Sequence, residues 1–175
     1  MAKKDARNTK GRIVDAAWSL FYEKGYEGTT IEEIVERSET SKGSFYHYFD
    51  SKDALLSSLS YLFDAKYEQL MQDMDPEMNS FDKLMYLNHE LFLMIENSVP
   101  MDLLAQMYSS QLITYGDRHL LNQSRTYYRV LRRIVIEGQN RGQLRTDVSV
   151  NEIIKAYAML ERAMIYDWCI CNGDY

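Results

Sequence analysis

Apolar residues recur three and four positions apart along most of this chain, the spacing of helices with one buried face. The first stripe, Ile13, Ala16, Ala17, Leu20 and Phe21, predicts a helix over 8–24, with Gly25 where a left-handed end residue belongs. Thr30 followed by Glu33 is a capping box and starts a short helix at Ile31, spent by Ser38. Ser41 caps another over 42–48. Ser51 then caps a long helix over 51–74, with the stripe Leu55, Leu56, Leu59, Leu62, Phe63, Leu70, Met71 and Met74, stopped by Asp75-Pro76. Further helices are predicted at 80–97, 101–115, 119–141 and 149–172, with breaks at Pro100, Tyr115-Gly116 and from Gly142 to Val148. Eight helices and no strand pattern make the chain all-α.

Two short helices joined by a tight turn, 31–38 and 42–48, form a helix-turn-helix pattern. Drawn as a wheel, the second turns Phe45 and Phe49 inward, with Tyr48 at their flank. Gly43 and His47 lie opposite, bordered by Ser44 and Tyr46, and Lys42 sits at the helix start. That face suits a DNA groove. Gly43 lets a backbone come close, Ser44 can donate or accept, and Lys42 can donate to guanine O6 and N7. Tyr46 and His47 can reach phosphate oxygens or thymine methyls, while Thr30 and Lys52, each at a helix N-terminus, are placed to hold backbone phosphates. Any one of these residues also suits an ordinary surface helix; the turn spacing and the charge pattern together favour DNA.

The charge is unevenly placed. Residues 1–12 carry five Lys/Arg against one Asp/Glu, residues 13–52 carry four against eight, and residues 53–175 hold 11 against 17 of the chain's net −6. A basic arm before a helical domain is the footprint expected of a polyanion binder. No apolar run reaches membrane length, and the N-terminus lacks the apolar segment of a signal peptide, so a cytoplasmic protein is expected. Cys169 and Cys171 point about 200° apart on a helix and make a poor metal pair. No metal or other cofactor is indicated.

Residues 13–56 resemble the N-terminal domain of the TetR family of bacterial transcriptional regulators. The resemblance rests on Ala16-Ala17, Leu20-Phe21, Gly25-Tyr26, Thr29-Thr30-Ile31, Ile34, the run from Ser41 to Phe49, Ser51-Lys52 and Leu55. It implies a homodimer whose recognition helices read the half-sites of a palindromic operator, usually as a repressor. Thr30, Ser41, Lys42, Ser44, Tyr46, His47 and Lys52 are the DNA-facing positions it implies. It also divides the chain into a DNA-binding domain over 1–52 and a ligand-binding and dimerisation domain over 53–175. Two features depart from the family pattern. Glu39 stands where the turn glycine usually is, and the periodicity gives eight helices where the family usually builds its dimer interface with a ninth.

Beyond residue 53 lie nine of the ten methionines and ten of the 14 tyrosines, a mixture suited to an adaptable apolar pocket with a few polar points. Asn88 and Glu161 interrupt the apolar stripes of their helices. A buried carboxylate needs a partner, which for Glu161 could be a ligand cation, Arg132 or Arg133, or a second subunit. A pocket lined by Phe92, Met107, Tyr108, Tyr127 and Tyr157, with Asn88 and Glu161 as polar points, is therefore expected to take a small hydrophobic or amphipathic effector. The helix over 51–74 is expected to join it to the recognition helix. Enzyme signatures such as a Walker loop, HExxH or GxSxG are missing, so no catalysis is expected. An adaptor that keeps this fold without binding DNA on its own is the alternative, supported by Glu39 and the acidic helix 31–38.

Overall fold

The computed structural model describes residues 2–113 and 118–174, those of 2–8 and 61 without their side chains. Among the described residues the regular elements are all helices, with no strand. The first four helices are α1 (Ala2–Lys24), α2 (Ile31–Arg37), α3 (Lys42–Tyr48) and α4 (Asp53–Leu56). They are followed by α5 (Leu59–Asp73), α6 (Ser80–Ser98), α7 (Met101–Ile113), α8 (Thr126–Asn140) and α9 (Val150–Ile170). No described helix is long and apolar enough to cross a membrane. The predicted break at Tyr115-Gly116 lies outside the described residues.

The chain divides into two compact units, residues 1–59 with 100–114, and residues 60–99 with 115–175. This division falls after Leu59, and α7 belongs to the first unit. Within that unit α1, α2 and α3 pack on one another, and α4 packs on α7. Ile13, Ala17, Ile34 and Phe45 are fully buried, and Phe21 is nearly so. α1 begins well before its apolar stripe. Its first turns, AKKDARNTK, hold good helix formers but nothing to bury, so periodicity could not find them. The basic side chains Lys3, Lys4 and Arg7 of the predicted arm lie outside the description.

The turn between α2 and α3 has the geometry its sequence puts under strain. Glu39 takes a φ of 51°. Its amide donates to the Glu36 carbonyl at 3.1 Å and that of Thr40 to the Val35 carbonyl at 3.0 Å. This pair of bonds is a Schellman ending, whose left-handed residue is usually glycine.

The helix predicted over 51–74 is broken in two, which also raises the helix count from eight to nine among the described residues. α4 ends at Leu56 and α5 starts at Leu59. The Ser57 hydroxyl donates to the Ala54 carbonyl at 2.6 Å, and the Ser58 hydroxyl donates to that of Leu55. Serines that bond back to the preceding turn compete with helix propagation. The buried Trp18 indole fixes the break by donating to Ser58 Oγ at 2.7 Å. The N-cap of α4 is Lys52, not the expected Ser51, whose hydroxyl stands one position earlier and accepts the Ala54 amide at 3.3 Å.

In the second unit α8 lies between α6 and α9, packing on both. α6 and α8 come close at Gly138, where a Cβ would stand 2.7 Å from the Ser80 Cβ and from Leu144 Cγ. Beside this approach the nearly buried Lys83 pairs with Glu137 at 2.8 Å and donates to the Pro76 carbonyl at 3.2 Å. α9 starts in a second capping box, Ser149 with Glu152. The helix predicted over 119–141 begins only at Thr126; before it, His119–Leu121 makes one 3-10 turn. Asn122 accounts for the delay: its side-chain oxygen accepts from the Ser124 amide at 2.9 Å and hydroxyl at 2.7 Å, closing a turn in place of a helix.

The left-handed position carries a stability prediction. Replacing Glu39 by Gly removes Cβ strain of about 1 kcal/mol. Urea denaturation of Glu39→Gly is expected to show that gain; a loss of stability would remove the strain argument.

Candidate functional site

α3 is held at both ends. At its start the Ser41 hydroxyl accepts the Ser44 amide at 3.1 Å and lies 3.0 Å from the Ser44 hydroxyl. At its end the Phe49 amide donates to the Phe45 carbonyl at 2.9 Å. The Phe45 and Phe49 rings, both buried, stand 5.7 Å apart. Lys10 lies 5.6 Å over the Phe49 ring. With that side anchored, Ser41, Lys42, Gly43, Tyr46 and His47 are exposed together, and Ser44 is half-buried beside them. The sequence-predicted face is thus brought together on one helix.

Gly43 is the informative position. A Cβ built there would meet only Ser41 Oγ, at 3.8 Å. A larger residue fits the fold and favours a helix by about 1 kcal/mol over glycine. Nothing within the described chain asks for glycine there.

The charges around this face are largely paired. Lys42 forms an ion pair with Glu32 of α2, and this contact raises the lysine's pKa and lowers the carboxyl's. Lys24 pairs with Glu33, and its hydrogen bond, aided by the Thr30 hydroxyl and amide, draws that carboxyl down to about 2. The Thr30 hydroxyl serves the capping box, accepting the Glu33 amide at 3.3 Å and donating to the Glu33 carboxylate at 2.7 Å. Lys52 is placed differently from the expected phosphate contact. Its ammonium donates to the carbonyls of Tyr26 at 2.7 Å and Thr29 at 2.9 Å, and lies 4.1 Å over the Tyr26 ring. Two of its three donors therefore tie the loop before α2. Sequence reasoning missed the pairing of Lys42 because it lies between helices, with no fixed spacing to announce it.

A second constellation lies in the second unit, around Glu161. The residue is 5 % exposed. The Tyr67 hydroxyl donates to its carboxylate at 3.4 Å, and the Asn88 amide donates at 3.5 Å. The Tyr157 hydroxyl donates to the Leu84 carbonyl at 2.8 Å. Tyr127 stacks at a tilt on Tyr67, ring centres 5.1 Å apart. Its hydroxyl is buried close enough to Glu161 for the carboxylate to add to the rise that burial causes in its pKa. Yet that hydroxyl meets no partner with hydrogen-bond geometry. Burial pushes the Glu161 carboxyl up, and the surrounding groups of Tyr127, Asn88, Tyr157 and Tyr67 pull it back.

Neither arginine offered as a partner for Glu161 takes that role. Arg132 donates to Asn151 at 2.8 Å, and Arg133 is exposed. The expected lining set is divided between the units. Phe92 is half-buried on α6, whereas Met107 and Tyr108 belong to α7 of the first unit, Met107 fully buried there. Tyr67 was not predicted. Its signal was present, four residues after Phe63 and three before Leu70 on the stripe of α5. Among the described residues, no three His, Cys, Asp or Glu side chains gather where a metal could sit.

Comparison with known proteins matches both the motif and the fold. Residues 13–59 match the model of the bacterial regulatory proteins of the tetR family. IcaR of Staphylococcus aureus, named a negative transcriptional regulator of the biofilm operon icaADBC, is 32% identical over 121 residues, 66% of this chain and 64% of that protein. QacR of the same species, an HTH-type transcriptional regulator, is 28% identical over 122 residues, 69% of this chain and 65% of that protein. The chain thus spans just under two thirds of the length of these relatives. Two solved structures share the fold across both units. FadR of Bacillus subtilis, in complex with stearoyl-CoA, has a TM-score of 0.71 at 19% identity, covering 95% of this chain and 90% of that one. FadR of Thermus thermophilus, in complex with lauroyl-CoA, has a TM-score of 0.72 at 24% identity, covering 91% and 82%. Motif, matched residues and fold agree over residues 13–59, which belong to the tetR family of bacterial regulatory proteins.

Proposed function

We propose that this protein is a transcriptional regulator that binds a palindromic operator as a homodimer through α3 and represses until a small effector enters the second unit. The observation that carries the DNA-binding reading is the exposed face of α3 with Gly43 at its centre. A glycine that the fold does not ask for is what close approach of another backbone requires. Lys42, Ser44, Tyr46 and His47 around it supply donors and rings for bases and phosphates, and Ser41, Thr30 and Lys52 flank them. Lys42 must exchange Glu32 for DNA to do so, a small cost because exposed ion pairs contribute little. Repression follows the relative IcaR, named as a negative regulator.

The dimer reading rests on α9. Opposite its buried stripe of Ile154, Ala158, Glu161 and Ile165, the helix exposes Met159, Leu160, Tyr166 and Ile170, each more than half accessible. An apolar face of this length suits a second copy of the same helix, related by a two-fold axis. The effector reading rests on the convergence of Asn88, Tyr127, Tyr157 and Glu161, with Phe92 half-buried on the same unit. The two FadR neighbours were solved with acyl-CoA esters, which are amphipathic.

A gel shift with DNA from upstream of the protein's own coding region tests the first reading. Gly43→Leu is expected to keep or raise the melting temperature while weakening binding at least tenfold. Unchanged affinity would remove the close-approach argument. A folded protein that shifts no DNA would favour the adaptor reading instead. Glu32→Gln is expected to strengthen binding to all DNA sequences several-fold, with the gain shrinking as salt rises, because exposed charges are screened. Equal gains at low and high salt would show that Glu32 acts otherwise. Leu160→Glu is expected to convert a dimer to a monomer in analytical ultracentrifugation; a dimer that persists would place the interface elsewhere.

A further inference from the structure

Four helices each send polar groups to one point in the second unit: Tyr67 from α5, Asn88 from α6, Tyr127 from α8, and Tyr157 and Glu161 from α9. Glu161 is the one acidic side chain among them. A carboxylate taken out of water needs a counter-charge or short, well-aligned donors. Its recorded donors, Tyr67 at 3.4 Å and Asn88 at 3.5 Å, stand at the limit of hydrogen-bond reach. Two cations of this unit, Arg125 and Arg162, are used elsewhere. Arg125 pairs with Asp64 at 2.9 Å and donates to the Ser60 carbonyl at 3.0 Å, and Arg162 donates to the Tyr128 hydroxyl at 3.4 Å. Among the described residues no Lys or Arg forms an ion pair with Glu161.

A second observation points the same way. The Tyr127 hydroxyl is buried, its residue only 6 % exposed, and it lies near the Glu161 carboxylate without meeting any partner in hydrogen-bond geometry. A polar network closed on itself would satisfy that oxygen, because an orphaned buried hydroxyl is as costly as a lost hydrogen bond. The missing component is therefore a donor that also brings positive charge.

We propose that the second unit binds an organic ammonium ion, a protonated amine on an apolar body, with its N–H groups on the Glu161 carboxylate and the Tyr127 oxygen. The rings of Tyr67, Tyr127 and Tyr157 add the attraction of their faces for a cation and exclude water from it. An alcohol of the same shape can fill the hydrogen bonds but not the charge. A carboxylate of the same shape meets repulsion. The proposal rests on the effector reading above and narrows it to one ligand chemistry.

The test holds chain length fixed and varies the charge. Octylammonium, 1-octanol and octanoate are titrated into the full-length protein by isothermal calorimetry, with lauroyl-CoA as a fourth probe and DNA release followed in parallel. Octylammonium is expected to bind at least tenfold tighter than 1-octanol, with octanoate weakest. In Glu161→Gln, which keeps the side chain's shape, the first two are expected to converge within threefold. Tyr127→Phe is expected to weaken the ammonium more than the alcohol. Equal affinities in the unmodified protein, or no octylammonium binding, would overturn the proposal without recourse to any variant. Release of DNA by lauroyl-CoA alone would overturn the ammonium chemistry and leave the effector reading standing; release by none of the four would count against both.

Discussion

The burial of Phe45 determines which face of α3 the protein shows. This ring has no exposure, and Phe49, one turn later, is nearly as covered. A seven-residue helix has little stability of its own, since isolated helices shorter than about 12 residues are marginal in water. It exists because these two rings are taken up by the core of the first unit. Once they are fixed inward, the helical period leaves Lys42, Gly43, Tyr46 and His47 outward. The proposed recognition surface is in that sense a by-product of packing on its opposite side. The Schellman turn at Glu39 and the Ser41 cap then set where the helix starts.

Local signals were legible in the sequence and long-range ones were not. The Thr30–Glu33 capping box and the inward placement of Phe45 depend on residues within one or two turns, and the structure has them as expected. The left-handed geometry of Glu39 was readable only through the resemblance, which puts a glycine at that position. The break after Leu56 was hidden, since Ser57 and Ser58 interrupt the helix together with an indole forty residues earlier. The late start of α8 turned on one Asn122 side chain. Polar first turns hid the true start of α1, as a sequence without large apolar residues leaves no stripe to find.

The candidate sites follow the same division. Residue types on the face of α3 could be listed from the sequence, but the partners of Lys42 and Lys52 could not, because both lie on other elements. Around Glu161 the sequence showed a carboxylate in an apolar stripe and offered two arginines. The structure surrounds it with tyrosines and an asparagine from four helices instead. Such convergence is a property of how helices pack, and no single stripe contains it. Met107 had been grouped with these residues on composition alone; it fills the core of the first unit.

The ion pair between Lys42 and Glu32 bears on how a regulator would search a chromosome. A carboxylate tethered one helix away is a permanent rival to every phosphate the lysine meets, and it acts equally on all DNA. Most encounters of such a protein are with the wrong sequence, where charge alone provides the attraction. Weakening that attraction shortens each wrong visit. At the correct sequence, contacts that only matched bases supply remain to offset the loss, so discrimination, which is a difference of affinities, is not reduced with it. A reading head that is neutralised at rest gives up grip and gains speed of search.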